Sequence, residues 1–183
     1  DLKLSRGLGD VYKRQLEGYK IWGPDILKKL EGQFSFVIFD KVNQILFMAR
    51  DRIGQKPLFY KITNERIIIS STLEPIIKLS ESFEVDSESV YTFLQVGVVP
   101  APKTIFKNIN KLKNGEYMVF DVQENQITEK CIYWSPEQFI DYRKYDYEEF
   151  MSIFDEAVKK RCVADVEICL LYTSDAADDD ACV

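Results

Sequence analysis

Histidine is absent from the 183-residue sequence. Without it, the chain cannot build a Ser-His-Asp or Cys-His arrangement, which excludes the commonest hydrolase mechanisms. The four cysteines show no C-x-x-C spacing, and a structural zinc site needs such pairs or histidines beside them. We therefore assign no catalytic, cofactor-binding or metal-binding residue from composition alone. The cysteines are Cys131, Cys162, Cys169 and Cys182.

Long apolar runs are also lacking, since the longest are strand-sized and a membrane helix needs roughly 20 apolar residues. We expect no membrane span. The net charge is -6 and no basic cluster lies beside stacking aromatics, so we expect no nucleic-acid surface. No charged-then-apolar leader is visible, which makes the cytoplasm the expected compartment. What is present, 46% hydrophobic and 30% charged residues, is typical of a globular protein acting on small molecules.

The two ends of the chain have the character of sequencing adapters. Asp10 to Gln15 (DVYKRQ) can be encoded by GATGTGTATAAGAGACAG, and the reverse complement of that string reads CLLYT, the sequence of Cys169 to Thr173. The ends thus form an inverted repeat in DNA. We expect residues 1–15 and 169–183 to be non-native and without packed structure, and we exclude them from fold reasoning.

The first half of the remaining segment predicts four antiparallel strands of a sheet. Gln33 to Asp40 and Ile45 to Arg50 are aromatic and β-branched runs around a short polar turn, so they predict a hairpin of two largely buried strands. Leu58 to Ile62 and Arg66 to Ser70 repeat the pattern. A later hairpin is expected from Glu116 to Asp121, after the Asn-Gly turn, with residues 127–134.

Helical patterns separate and follow these strands. Short helices are predicted at Pro24 to Leu30, Thr72 to Leu79 and Ser87 to Gln95, the last with Asp86 or Ser87 as its cap. Residues 137–146 are a polar, tyrosine-rich link, where we place a domain boundary. Tyr147 to Arg161 then carries its apolar residues on one stripe, which predicts an amphipathic helix. The fold class expected overall is α+β with antiparallel sheets.

The most specific string is Ala49 to Tyr60, ARDRIGQKPLFY, a charged corner between two buried strands. A glycine can supply a positive φ there, a proline fixes the exit, and Asp51 can be paired by a neighbouring arginine. The string resembles the corner shared by class II glutamine amidotransferase domains, especially those of asparagine synthetases, where it shapes the sheet beside the glutaminase pocket. Its structural signature consists of Arg50, Asp51, Arg52, Gly54, Lys56 and Pro57.

Further segments resemble that family in the same order: residues 30–40, 96–112, 115–119 with 133–134, and 157–166. The resemblance implies residues 16–136 as the C-terminal half of an α/β/β/α N-terminal-nucleophile glutaminase domain. Residues 137–168 would then be a linker and the first helix of an ATP-pyrophosphatase-type synthetase domain. Together the segments cover nearly all of Leu16 to Ile168.

In such enzymes a terminal cysteine, whose base is its own α-amino group, hydrolyses glutamine. The resemblance implies glutamine, aspartate and ATP as parent substrates, with magnesium implied only through ATP. It also implies that the nucleophile, the oxyanion donors and the phosphate-binding loop lie outside this chain, so the chain itself is expected to be inactive. Cys131 and Cys162 are expected to be small buried residues, one in a strand and one at a helix end.

Two alternatives stay open. After the fourth strand the family commonly reads Ala-Ser-Glu, and this chain reads Ser70-Ser71-Thr72, a substitution also found among amidotransferases with other acceptors. The parent could therefore amidate a different carboxylate. A degenerate, non-catalytic module that docks a partner is the third possibility.

The inverted repeat generates a first prediction about the gene. Amplifying the locus from unamplified source DNA should give codons that diverge from residues 1–15 and 169–183 while preserving the central segment, because adapter sequence is absent from the genome. Finding both flanks contiguous with the central codons would show them to be native.

Overall fold

The computed structural model describes residues 8–80, 82–140 and 146–162, with the side chains of residues 8–12 and 14 excepted. It divides into two compact units, one formed by residues 12–140 and the other by residues 1–11 with 141–183. No described helix is long and apolar enough to cross a membrane.

Both predicted hairpins are confirmed, and they share one antiparallel sheet with the strand order β1-β2-β6-β7. The hairpins meet where β2 pairs with β6, so Phe47 lies opposite Val119. Alternation places apolar residues on both faces of β2, which therefore needs a covering layer on each side. The strands are β1 Ser35–Asp40, β2 Ile45–Arg50, β6 Glu116–Asp121 and β7 Gln126–Ile132.

A second sheet, in the order β4-β3-β5, contains the other two predicted strands, so the expectation of a single four-stranded sheet is wrong. The chain leaves the first sheet at the end of β2 and enters the second at β3. The apolar face of each sheet must be shielded from water. Stacking one sheet on the other shields both faces, whereas joining the strands edge to edge would not. The strands are β3 Phe59–Ile62, β4 Ile67–Ser70 and β5 Asn110–Lys111.

Three apolar clusters show the layers within residues 12–140. Between the sheets lie buried side chains from both, among them Met48, Tyr60 and Phe120. The outer face of the first sheet packs Phe47 under Ile26 and Leu27. The outer face of the second sheet packs Ile68 against Ile76 of a helix. The order is helix, sheet, sheet, helix, and the expected α+β class is confirmed.

The predicted helices are present with shifted bounds. The segment beginning at Pro24 forms a 3-10 helix, Gly23–Lys28, instead of an α-helix. The others are α2 Leu73–Lys78 and α3 Ser87–Val96, which ends at Gly97 in the left-handed conformation. A second 3-10 helix covers Pro136–Phe139.

The expectation that residues 1–15 lack packed structure is wrong at Gln15, and residues 8–15 are helical. They belong to α1, Leu8–Trp22, in which Gln15 is buried. Further along this helix, Tyr19 stacks on Phe47 with ring centroids 4.9 Å apart, so packing of the last turns supports the helix. Whether residues 1–15 are native stays a prediction; residues 1–7 and 163–183 lie outside the described part of the chain.

The predicted amphipathic helix is confirmed as α4, Tyr147–Arg161. Asp146 caps it by accepting hydrogen bonds from the backbone N–H groups of Glu148 at 3.0 Å and Glu149 at 3.1 Å. Acidic residues occupy the first turn and basic residues the last, as the helix dipole favours.

Candidate functional site

The corner that joins the two sheets is built around the carboxylate of Asp51, which is 2% exposed. The chain turns so tightly after β2 that successive backbone N–H groups point inward and have no strand partner. The carboxylate accepts four of them and a fifth N–H from Phe34, which precedes β1. The donors are the backbone N–H groups of Ile53 at 3.2 Å, Gly54 at 2.7 Å and Gln55 at 3.0 Å to Oδ1, and of Lys56 at 3.0 Å and Phe34 at 3.3 Å to Oδ2.

These contacts set the charge state of Asp51. Burial alone would raise the pKa of this carboxyl, because desolvation disfavours the charged form. The hydrogen bonds from the backbone of Lys56, Gln55, Gly54 and Phe34 outweigh burial, so the pKa lies below its usual value. Asp51 is therefore an anion at neutral pH, stabilised by backbone dipoles.

Arg50 donates hydrogen bonds to carbonyl groups of the corner, as Asp51 accepts them from its N–H groups. Its Nε donates to the Lys56 carbonyl at 2.7 Å, Nη1 donates to the Leu112 carbonyl at 2.8 Å, and Nη2 donates to the Gly54 carbonyl. Burial lowers the pKa of this guanidinium, and the charge of Asp51 partly opposes the shift. Since Leu112 follows β5 of the second sheet, the guanidinium ties the two sheets together.

The expected pairing of Asp51 with an arginine is not what the structure shows. Within the described residues, Asp51 makes no ion pair with Arg50 or Arg52. The side chains of Asp51 and Arg50 bond backbone groups instead. The reason is geometric, because a tight turn between sheets leaves both N–H and C=O groups without ladder partners.

A second turn packs against the corner and completes it. The Gly115 N–H donates to the Asp51 carbonyl at 2.9 Å, and the Tyr133 hydroxyl donates to the Arg50 carbonyl at 2.8 Å. Burial raises the pKa of Tyr133, with Arg52 lowering it and Asp51 raising it to smaller extents. Sequence reasoning noticed Tyr133 only as part of a family string, because no local pattern points to a partner 83 residues away.

The remaining signature residues surround this centre. Gly54 has φ +73, the positive value expected of it. The Pro57 carbonyl accepts a hydrogen bond from Ser35 Oγ at 3.0 Å, which fastens the exit of the corner to β1. Arg52 is half-buried and Lys56 exposed, the latter contributing its backbone groups. The six residues thus lie together as one element, with Arg50 and Asp51 at its centre.

The buried polar side chains of the corner all have hydrogen-bond partners. No buried side-chain nitrogen or oxygen in the described residues lacks a hydrogen-bond partner. Nor do any three acidic or cysteine side chains of those residues lie close enough to hold a metal ion. The buried charged groups of the corner, Arg50 and Asp51, thus bond the backbone around them and can hold a neighbouring site in position.

The two described cysteines correct one expectation. They lie where predicted, Cys131 in β7 and Cys162 after the last turn of α4, but both are exposed, not buried. For Cys131 the reason is that β7 is an edge strand with every residue exposed. Its cross-strand neighbour is Tyr117, whose hydroxyl donates to Glu129. No histidine exists to serve as a base for either thiol.

Comparison with known proteins places the sequence of this chain in a family. Residues 15–134 match the model described as a glutamine amidotransferase domain. A Methanocaldococcus jannaschii protein that carries a glutamine-hydrolyzing asparagine synthetase name is 32% identical over 84% of this chain. Asparagine synthetase (glutamine-hydrolyzing) 3 of Bacillus subtilis is 28% identical over 84% of the chain, and amidase chyE of Penicillium rubens is 28% identical over 87%. The chain spans 30%, 25% and 24% of the lengths of these relatives, respectively.

The Asp51 network generates a prediction on stability and pH. Asp51→Asn should lower the free energy of unfolding at pH 7 by about 3 kcal/mol, because hydrogen bonds to a charged group contribute roughly 1.5–3 kcal/mol and buried donors lose their acceptor. Since the folded pKa is lowered, this stabilisation is present above the unfolded pKa of about 4 and is lost as pH falls through the folded value. The gap between variant and parent should therefore narrow in acid.

Urea unfolding between pH 7 and pH 2.5 measures this gap, with Asp121→Asn as the matched control. Asp121 also accepts two backbone N–H groups, from Gln123 and Glu124, but in an exposed turn. The free energy of unfolding of Asp121→Asn should fall by less than about 1 kcal/mol. Equal losses in the two variants would contradict the importance of the buried setting.

Gly54 yields a second prediction. A Cβ at this position would overlap the Asn114 side chain and lie 3.0 Å from Arg50 Cζ, in addition to the cost of φ +73. At Gly97 φ is +77 and a Cβ would meet nothing within 4 Å. Gly97→Val should therefore lower the free energy of unfolding only by its backbone strain, about 1–2 kcal/mol. Gly54→Val should lower the free energy of unfolding by at least about 1 kcal/mol more, because of the steric overlap.

Thermal and urea unfolding of both variants measure the difference. In a longer polypeptide with glutaminase activity that contained this corner, the Gly54→Val loss would be expected in folding more than in chemistry. Normal melting with selectively lost glutaminase turnover would argue against a structural corner.

Proposed function

Because the chain belongs to the class II glutamine amidotransferase family of asparagine synthetase type, we propose that it is part of a glutamine-dependent asparagine synthetase. The observation that carries the proposal is the family match over residues 15–134, together with asparagine synthetase relatives similar over 84% of the chain. The parent reaction would convert aspartate, glutamine and ATP into asparagine, glutamate, AMP and pyrophosphate. Its expected compartment is the cytoplasm.

The chain's own contribution would be the scaffold of the glutaminase half. The layer order of helix, sheet, sheet and helix supports an N-terminal-nucleophile domain. The hydrogen bonds of Arg50 and Asp51 at the corner would fix one sheet over the other. In the resembling family, the thiol nucleophile and the oxyanion donors lie in sequence that precedes the matched segment. The corner would hold the sheets that carry those groups.

The synthetase half would supply ATP chemistry. We propose α4 as the first helix of that second domain, in agreement with the family's order of elements. ATP and magnesium would bind in sequence beyond α4, and we assign no described residue to either. When bound, ATP would activate the acceptor carboxylate for attack by ammonia.

A second candidate function differs in the acceptor. Two relatives are named amidases, chyE and chry2 of Gibberella zeae, and each is 28% identical over 87% of this chain. These names do not mention asparagine, so the relatives of this chain are not all named as asparagine synthetases. The Ser70-Ser71-Thr72 departure supports a parent that amidates a carboxylate other than aspartate. The two candidates share the glutaminase half and differ in the acceptor pocket.

The proposal makes a direct prediction for the 183-residue chain. It should release no glutamate from glutamine and no pyrophosphate from ATP with aspartate, because in the resembling family both reaction centres lie outside the matched residues. Coupled assays of both products, against a boiled sample, measure this. Turnover that survives Cys131→Ser and Cys162→Ser would mean that an active site has been misplaced.

The complete gene, recovered by extending the locus in both directions, provides the positive test. The expected protein releases glutamate and forms asparagine in step, and replacing its terminal cysteine with serine should abolish the use of glutamine while sparing the use of free ammonia. Amide formation only with another carboxylate would favour the second candidate. A complete protein with no terminal cysteine and no turnover would refute both.

A further inference from the structure

The turn that precedes β6 contains a chemically reactive pair of residues, Asn114 and Gly115. It is the only Asn-Gly pair in a chain with eight glycines. In such a pair the backbone nitrogen of the glycine can attack the amide carbon of the asparagine side chain, because glycine has no Cβ to hinder the approach. This turn can therefore undergo a covalent change without any enzyme.

The folded structure restrains the attacking nitrogen. Gly115 is buried, and its N–H donates to the Asp51 carbonyl at 2.9 Å. Its own carbonyl accepts hydrogen bonds from the backbone N–H groups of Tyr133 at 2.8 Å and Trp134 at 3.3 Å. The nitrogen must lose its proton and turn toward the Asn114 side chain before it can attack, so the bond to Asp51 must break first.

The amide that would be attacked is restrained as well. The side chain of Asn114 lies against the α-carbon of Gly54, where a Cβ would overlap its oxygen. The guanidinium carbon of Arg50 comes within 3.0 Å of the same Cβ position. On the other side of the turn, the Trp134 backbone lies directly against the α-carbon of Gly115 and limits the access of water to it. Both reacting groups are thus held by the corner.

We propose that Asn114-Gly115 is a latent site of spontaneous deamidation, which the folded corner keeps closed. The reaction then proceeds only in molecules whose corner has opened. Its rate in the folded protein is therefore the rate in the unfolded chain multiplied by the open fraction. The inference is independent of the function proposed above, since it depends only on the contacts of one turn.

The reaction balances without an oxidant or a cofactor. In the open state the Gly115 nitrogen gives its proton to a solvent base and bonds to Cγ of Asn114. The bond from Cγ to Nδ2 breaks, ammonia leaves, and a five-membered succinimide remains. Water then adds to one ring carbonyl and breaks the bond from that carbon to nitrogen. Addition at Cγ gives aspartate, and addition at the backbone carbonyl gives isoaspartate, whose main chain runs through Cβ.

The isoaspartate product should prevent the corner from closing again. Its main chain is longer by one methylene, which adds a bond of about 1.5 Å between the α-carbon of residue 114 and the nitrogen of Gly115. The N–H of Gly115 must reach Asp51 while its carbonyl reaches Tyr133, and hydrogen bonds tolerate lengths of only about 2.7–3.2 Å. The aspartate product keeps the original main-chain length, so it should close normally.

A second Asn-Gly pair in the same molecule provides the matched control. Gln44→Gly creates one after Asn43, in the exposed turn between β1 and β2, and the φ of +54 at position 44 suits glycine. The Asn43 amide donates to Asp40 at 2.8 Å, but this contact is exposed. Peptide mapping by mass spectrometry measures both deamidation rates in the full 183-residue chain, with circular dichroism to verify folding.

In the folded variant, Asn43 should deamidate at least about tenfold faster than Asn114, because opening of the corner limits only the latter. In guanidinium chloride the two rates should become similar. The parent chain gives the same comparison without a substitution, since Asn114 should deamidate faster in denaturant than in buffer. Equal rates at the two positions in the folded variant would overturn the proposal. So would an Asn114 rate in the parent chain that denaturant leaves unchanged.

The effect of the product is tested on parent chain that has been deamidated in denaturant and returned to buffer. Peptide mapping gives its isoaspartate fraction, and Asn114→Asp supplies the same charge on an unextended main chain. Denaturant unfolding should show two transitions. One should coincide with that of Asn114→Asp, and the other should lie at lower denaturant with an amplitude equal to the isoaspartate fraction. A single transition that coincides with Asn114→Asp would show that the corner closes around isoaspartate and would overturn this part of the proposal.

Discussion

The carboxylate of Asp51 is the group on which the arrangement of the two sheets depends. The chain must leave one sheet and enter another within eight residues, and such a turn leaves backbone N–H groups without ladder partners. Asp51 accepts four of them and a fifth N–H from Phe34, while Arg50 donates to three carbonyl groups around the corner. Peptide dipoles stabilise each charge. These dipoles need no reorganisation, because the turn already holds them in place. Removing either side chain would leave several buried backbone groups unsatisfied.

Other charged pairs contribute much less to this arrangement. Lys78 and Glu74 lie 2.6 Å apart, but both side chains are 72% exposed, and exposed pairs contribute roughly 0–1 kcal/mol. Lys130 is different, since it lies 3.6 Å from the nearly buried Glu116 and also donates to the Tyr60 hydroxyl of the second sheet at 3.2 Å. Polar contacts therefore connect the sheets near the corner and again beside β7, with the apolar cluster between them. A few hydrogen bonds and ionic contacts, which are directional, fix how the two sheets stack. The apolar cluster between the sheets adds contacts that have no preferred direction.

Local features of this fold could be predicted from the sequence, and long-range ones could not. The hairpins of β1 with β2 and β6 with β7 follow from apolar runs around short turns, and the positive φ of Gly54 follows from its place in a corner. The division into two sheets depends on the pairing of Phe47 with Val119, far apart in sequence, and no local pattern encodes it. For the same reason, the Leu112 acceptor of Arg50 and the Tyr133 donor to its carbonyl could be found only in the structure. The burial expected for Cys131 was wrong because composition does not reveal which strand is at an edge.

Relatives with different names match the same segment of this chain, and the corner lies within it. The bonds of the corner join charged side chains to peptide groups, and peptide groups are present whatever side chains surround them. Asparagine synthetases and amidases are both similar to this chain over more than four fifths of its length, as expected of a shared scaffold. A scaffold held by backbone contacts can therefore support several reactions, provided that both sheets keep their relative position.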